Sequence, residues 1–167
     1  MEKNISISIQ MTASAMFDFL YWHSYHGIMG IVNYGFSLIA LLALLFGFGK
    51  GNTIATIALV VLASLFTIVN PVMLYYKAVR QVKKNPMFQK SLQYTFDEKG
   101  FSVAQGEEKA FASWSDVLLL RETKKTIVLY LGASNATVLP KNDCKEHLVA
   151  IKEFIRKATP EVAKKLK

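Results

Sequence analysis

The sequence predicts a two-helix membrane hairpin joined to an α+β domain in which an antiparallel sheet is closed by a C-terminal helix. Three observations carry this. From Ile28 to Tyr76 the only charged side chain is Lys50, and two runs of that apolarity fit the roughly 20 residues that cross a bilayer core about 30 Å thick. Beyond Lys90 the chain breaks into short alternating segments divided by turn-forming residues, the pattern of half-buried strands. After Pro140, apolar residues recur at helical spacing.

Composition divides at Tyr76. The chain is 52% apolar with a mean hydropathy of +0.27, above the usual globular range, and the excess lies before that residue. The net charge of +8 is distributed in the opposite way. Up to Tyr76, Lys3 and Lys50 cancel Glu2 and Asp18, so the whole excess falls in 77–167. Basic residues directly after an apolar span match anionic lipid headgroups better than nucleic acid, and no nucleic-acid partner is expected. A single cysteine, Cys144, excludes an internal disulfide and a cysteine-based zinc knuckle within one chain.

At the N-terminus, Ile5, Ile7, Ile9 and Met11 alternate with Ser6, Ser8, Gln10 and Thr12, as in a strand with one buried face. Such a strand needs a sheet, and the only candidate sheet follows the apolar region, so the hairpin reads as an insertion. Thr12 or Ser14 caps a short helix to about His26, expected at the membrane surface. Tyr21, Trp22 and Tyr25 crowd its end, where amphipathic rings favour the headgroup layer. A cleavable leader is not expected, because residues 1–27 carry this patterning ahead of an apolar run too long for a signal.

Helices are expected over Ile28–Phe48 and Thr53–Tyr76, joined by the glycine-rich connector 47–52 and therefore antiparallel. Asn70-Pro71 bends the second near its cytosolic end. A basic helical extension, Lys77 to Lys90, stops near Asn85-Pro86. Lys77, Arg80, Lys83, Lys84 and Lys90 outnumber Lys50 in the connector, which places both termini in the cytosol and the chain in the inner (plasma) membrane as a multi-pass protein.

Strands are expected at 92–97, 101–104, 110–114, 117–122, 127–131 and 137–139, forming one meander. Turns at Asp97-Glu98-Lys99-Gly100, 105–108, 123–126 and 132–135 divide them. Asp143 is expected to cap a helix with the stripe Leu148, Ile151, Phe154 and Ile155. The resulting division is 1–27, strand and interfacial helix; 28–76, hairpin; 77–90, basic connector; 91–159, cytosolic domain; 160–167, basic tail.

The order of Tyr94-Thr95-Phe96-Asp97-Glu98-Lys99-Gly100-Phe101, Phe111-Ala112-Ser113-Trp114-Ser115-Asp116-Val117, Glu122-Thr123-Lys124-Lys125, Leu129-Tyr130-Leu131 and Leu139-Pro140-Lys141 resembles the YcxB-like family of bacterial membrane proteins. The resemblance implies a pleckstrin-homology-like sheet or barrel closed by the helix, and no catalytic residues. Asn142-Asp143-Cys144 departs from the basic or bulky apolar residue usual after Pro140-Lys141, which weakens any shared role for that loop.

No acid, base and nucleophile converge in the sequence, so no enzyme and no cofactor are expected. Cys144 with His147, and His23 with His26, have helical spacing for a shared metal, but two ligands do not make a site. Trp114 reads as core. Candidate leaflet or partner contacts are Lys77, Arg80, Lys83, Lys84, Lys124, Lys125 and Lys141. Candidate interfacial anchors are Tyr21, Trp22, Tyr25, Tyr75 and Tyr76. Lys99, Lys124, Lys125 and Lys141 suit diffuse attraction to an anionic leaflet, since Asp97 and Glu98 occupy the turn that inositide-binding domains fill with cations.

The expected function is a non-catalytic, membrane-tethered interaction or scaffold module with a protein partner. Small alanine-bearing faces allow a homodimer. The alternatives are an oligomeric channel or transporter subunit with a path through Asn33 and Asn70, and a small membrane enzyme acting on lipid.

Overall fold

The computed structural model describes residues 4–132 and 135–166. The middle of the expected turn at 132–135 lies outside those residues, as do 1–3 and Lys167. The chain forms two compact units, Met1–Phe19 with Val79–Lys167, and Leu20–Ala78.

The first unit is built on strand β1 (Ile5–Ile9), whose Ile5, Ile7 and Ile9 are buried while Ser6 and Ser8 are exposed. Its ladder runs antiparallel to β2 (Leu92–Phe96), from Ile5 opposite Phe96 to Ile9 opposite Leu92. The alternation therefore finds its sheet across residues 10–91. β3 (Gly100–Gln105) and β4 (Glu108–Ser113) complete a four-stranded sheet in the order β1-β2-β3-β4. Asp97 Oδ1 accepts from the Lys99 and Gly100 amides at 2.8 and 2.9 Å, which forms the expected turn into β3. A Cβ on Gly100 would meet the Phe111 ring and the Ala112 carbonyl. Phe111, though 60% exposed, thus covers a glycine on the outer face of the sheet.

The expected single meander, a sheet or barrel by the family resemblance, is corrected to two separate antiparallel sheets with no closed barrel. Ser113 and Asp116 form a reciprocal capping box around the 3-10 turn Trp114–Asp116. That turn ends sheet pairing and redirects the chain. β5 (Leu119–Glu122), β6 (Thr126–Tyr130) and β7 (Ala136–Pro140) then form a three-stranded antiparallel sheet. Trp114 is buried as expected and donates from Nε1 to the Asp97 carbonyl at 2.8 Å. Phe96, Phe101 and Trp114 stack together in the core.

Helix α5 (Leu148–Ala158) buries Ile151 and Ile155 and belongs to the same core. It begins later than expected, because Asp143 does not cap it: the Asp143 carboxylate accepts the Gln10 amide at 3.0 Å. The tail is not simply solvated. Ala163 and Leu166 are buried in the core cluster.

Helix α1 (Ala13–Tyr25) starts at the expected cap, with Thr12 Oγ1 accepting the Ala15 amide. Its first half docks on the sheet unit. Ala15 and Met16 are buried, and Phe19 meets Tyr130. Every residue of β6 is buried, and this docking covers the face of β6 turned away from Ile127 and Leu129.

In the second unit, α2 (Ile28–Leu45) and α3 (Thr53–Ser64) pack side by side. α2 is shorter than the expected 28–48, because Gly47 at φ 83° turns the chain. α3 runs through a π segment, Leu65–Val69, into α4 (Asn70–Lys84), making one helix from Thr53 to Lys84. That helix is long and apolar enough to cross a membrane. A bent pair, Ala13–Tyr25 with Gly30–Leu45, passes the same test only when taken together.

Pro71 explains the π segment. Asn70 donates to the Leu65 carbonyl, and the next bond in that register would run from residue 71 to the Phe66 carbonyl, but proline has no amide hydrogen. Tyr25 supplies the donor instead, with Oη at 2.5 Å from the Phe66 oxygen. Asn70 Nδ2 in turn donates to Tyr25 Oη at 3.0 Å. Tyr25→Phe removes this replacement donor. We expect it to destabilise the full-length protein in detergent by about 1–3 kcal/mol, read as a lower thermal midpoint, with Tyr21→Phe having a smaller effect.

Candidate functional site

The two sheets share no ladder, and where the inner face of β2, β3 and β4 parts from β7 a cleft opens. Its volume is about 510 Å³, within the range of roughly 300–1,000 Å³ typical of ligand sites. Met11, Met16, Met87, Phe88, Leu92 and Val103 make its lining largely apolar. Methionine suits such a wall because its unbranched thioether adapts to irregular guests. Gln81, Gln105, Glu108, Lys109 and Thr137 add polar groups.

Each wall follows from local sequence. Tyr94 and Val103 sit opposite each other in the β2–β3 ladder, and Val103 opposite Ala110 in the β3–β4 ladder, so one inward row crosses three strands. Met87 and Phe88 come from the 3-10 turn Pro86–Phe88, capped by Asn85. Gln105 Nε2 donates to the Met87 and Lys90 carbonyls and fixes that turn beside β3.

Tyr94 is 5% exposed and lines this cleft, and no described residue accepts from or donates to its hydroxyl. Burial, with a smaller push from Cys144, raises its hydroxyl to about 12, so it remains a donor at neutral pH. Among the described residues no acid, base and nucleophile converge in the cleft.

Beside the cleft, a polar brace ties four elements together. Glu122 Oε1 meets Lys141 Nζ at 2.7 Å and Lys152 Nζ at 2.8 Å, with the Glu122 side chain 6% exposed. Lys141 also donates to the Thr123 carbonyl at 2.5 Å. The Asp18 carboxylate accepts from the Thr123 and Thr126 hydroxyls, and Lys125 Nζ donates to Ser14 Oγ at 2.7 Å. The β5–β6 turn is thereby pinned to α1, β7 and α5.

The candidate contact residues separate accordingly. Lys141 is committed inside the domain, to Glu122 and Thr123, and is not arranged as a leaflet contact. Lys124 and Lys125 are exposed on the braced turn. Lys77, Arg80, Lys83 and Lys84 are exposed along α4. Tyr75 and Tyr76 are also exposed, as anchors would be. Tyr21 Oη pairs with Tyr34 Oη at 2.6 Å, Trp22 stacks on His26, and Tyr25 is buried on the Phe66 carbonyl.

Cys144 and His147 lie in the turn before α5, not on a helix, and His147 donates its amide to the Cys144 carbonyl. Cys144 is buried. Burial, then the neighbouring Asp143 carboxylate, raises its thiol to about 11. No group of three metal-ligating side chains occurs among the described residues.

Cys144 and Tyr94 contribute to a loss of stability at alkaline pH. Both are raised above their ordinary values near 9 and 10, so folding favours their neutral forms. Their contribution is complete below about pH 9 and is lost as pH rises through about 11 for Cys144 and about 12 for Tyr94. A denaturant titration should show stability falling across pH 9–12, with Cys144→Ala flattening the lower part of that fall.

No curated protein and no solved structure matches this chain. The family described as YcxB-like protein does match, over residues 96–155, which takes in the end of β2, all of β3 to β7 and most of α5. Over that stretch the chain is similar to the YcxB-like family, the resemblance that its ordered motifs suggested.

Proposed function

We propose that this protein is a non-catalytic, membrane-tethered binding module that presents a cytosolic pleckstrin-homology-like domain at the inner leaflet. The cleft between the sheets is its binding surface. One observation carries the tether: α3 has no buried residue, and only 6% of the apolar window in the Thr53–Lys84 helix is covered by protein. A core helix of a water-soluble protein would be mostly buried, whereas lipid covers such a surface at no cost.

The strand pairing supports a hairpin over a single span. β1 and β2 belong to one sheet, so residues 10–91 must cross a bilayer an even number of times. If the Thr53–Lys84 helix crosses, the Ile28–Leu45 helix must return the chain. The excess of Lys77, Arg80, Lys83 and Lys84 over Lys50 then favours both termini on the cytosolic side. Four strands followed by three and a C-terminal helix is the strand count of a pleckstrin-homology-like domain, here with its first strand separated from the second by the hairpin.

Single cysteines introduced in a Cys144→Ala background test this topology. An impermeant maleimide applied to intact cells should label Lys50→Cys and leave Lys124→Cys unlabelled until the membrane is opened. Labelling of both in intact cells, or release of the protein by alkaline carbonate, would remove the tethered reading.

A further inference from the structure

The basic α4 surface attracts anions in general and specifies nothing, and the groove between α2 and α3 has small side chains but nothing to show what covers it. The cleft in the sheet unit combines three features of different origin. Its interior is apolar and methionine-rich. Its wall holds Tyr94, a buried tyrosine whose hydroxyl makes no hydrogen bond with any described residue. Its rim is bordered by cations, with Lys109 in the lining and Lys84 one helical turn from the lining residue Gln81, hence on the same side of α4.

We propose that this cleft binds one single-chain anionic amphiphile, a fatty acid. The hydrocarbon tail occupies the space among Met11, Met16, Met87, Phe88, Leu92 and Val103, and a head-group oxygen accepts from Tyr94 or pairs with the rim lysines. The inference rests on the binding-module reading and names its ligand.

The cleft volume of about 510 Å³ falls within the range of roughly 300–1,000 Å³ typical of small-ligand sites, the size class of a single-chain amphiphile. Charge favours an anionic head group: Lys109 lies in the lining and Lys84 shares the Gln81 side of α4, against Glu108 as the lining's one carboxylate. A carboxylate on the ligand is therefore favoured over a cationic head. Chain order gives the route. The cleft residues Met16 and Phe19 precede the first apolar span, and Gln81, Met87 and Phe88 follow the second, so a bilayer-dissolved amphiphile is the most abundant apolar solute near both connections.

The test uses the full-length chain in phosphatidylcholine nanodiscs with a diazirine-bearing palmitate, followed by peptide mapping of the photo-adducts. Adducts are expected on segments 11–19, 87–94 and 103–110, saturating near one per chain and displaced by excess oleate. Val103→Trp fills the cleft and should reduce them at least tenfold, and Tyr94→Phe severalfold. Ser102→Trp, on the opposite face of β3, should leave them unchanged. If Val103→Trp unfolds, as read by its thermal midpoint, Ala110→Phe replaces it.

Adducts confined to 28–76, undiminished labelling in a folded cleft-filling variant, or equal cleft labelling by a two-chain diazirine phospholipid would overturn the proposal. So would displacement of the probe by a co-purifying protein and not by oleate. Carbonate extraction of the same preparation reads the tether separately. A protein that leaves the membrane but still takes the probe in the cleft refutes the tether alone, and one that stays but takes none refutes the ligand alone.

Discussion

The ladder between β1 and β2 is the constraint on which the rest depends. It joins Ile5–Ile9 to Leu92–Phe96 across everything in 10–91, including every long apolar helix. Closing so long a loop costs conformational entropy that grows only logarithmically with length. The return is burial of Ile5, Ile7 and Ile9 in the same core as Phe96, Phe101 and Trp114, each such side chain contributing about 1.5–3 kcal/mol. Because the ladder fixes both ends of the insertion on one sheet, any membrane crossing must be paired. The number of spans becomes a consequence of sheet topology and not only of hydropathy.

The second consequence is the cleft. Seven strands in one closed barrel would leave no gap, but the capping box at Ser113 and Asp116 ends the first sheet and starts a second. Burial of Ile127, Leu129, Ile151 and Ile155 holds the two sheets on one core, while the polar brace of Glu122, Lys141 and Lys152 fixes β5, β7 and α5 to one another. Removing Glu122 from that brace would leave two lysines, both largely buried, without their anion, a change that typically costs several kcal/mol.

Local chemistry was legible and long-range chemistry was not. The alternation at Ile5, Ile7 and Ile9 required a distant sheet, the Asp97 turn followed from its residue types, and Trp114 at the end of an alternating strand belonged in the core. The break after β4 had a signal, Ser113 three residues before Asp116, which reads as a capping box only once a turn is allowed there. Asp143 looked like a helix cap because a stripe follows it, and sequence gave no sign of the Gln10 amide competing for its carboxylate. Tyr25 carried an aromatic-anchor pattern, but its role depends on the carbonyl that Pro71 leaves bare, 41 residues away at Phe66. Lys141 and Glu122 look like surface charges in the chain and meet only after β5 and β7 pair with β6. Leu166 sits in a basic tail whose composition conceals its burial.

The most direct measurement is a disulfide across the first ladder in the full-length protein. Ser6 and Thr95 are paired partners whose hydroxyls lie 3.1 Å apart on the outer face. In a Cys144→Ala background, Ser6→Cys with Thr95→Cys should oxidise in isolated membranes to an intramolecular bond, seen as a faster-migrating monomer that reductant restores. Absence of that bond, or crosslinking only between copies, would contradict the pairing and with it the paired spans and the side assigned to the domain.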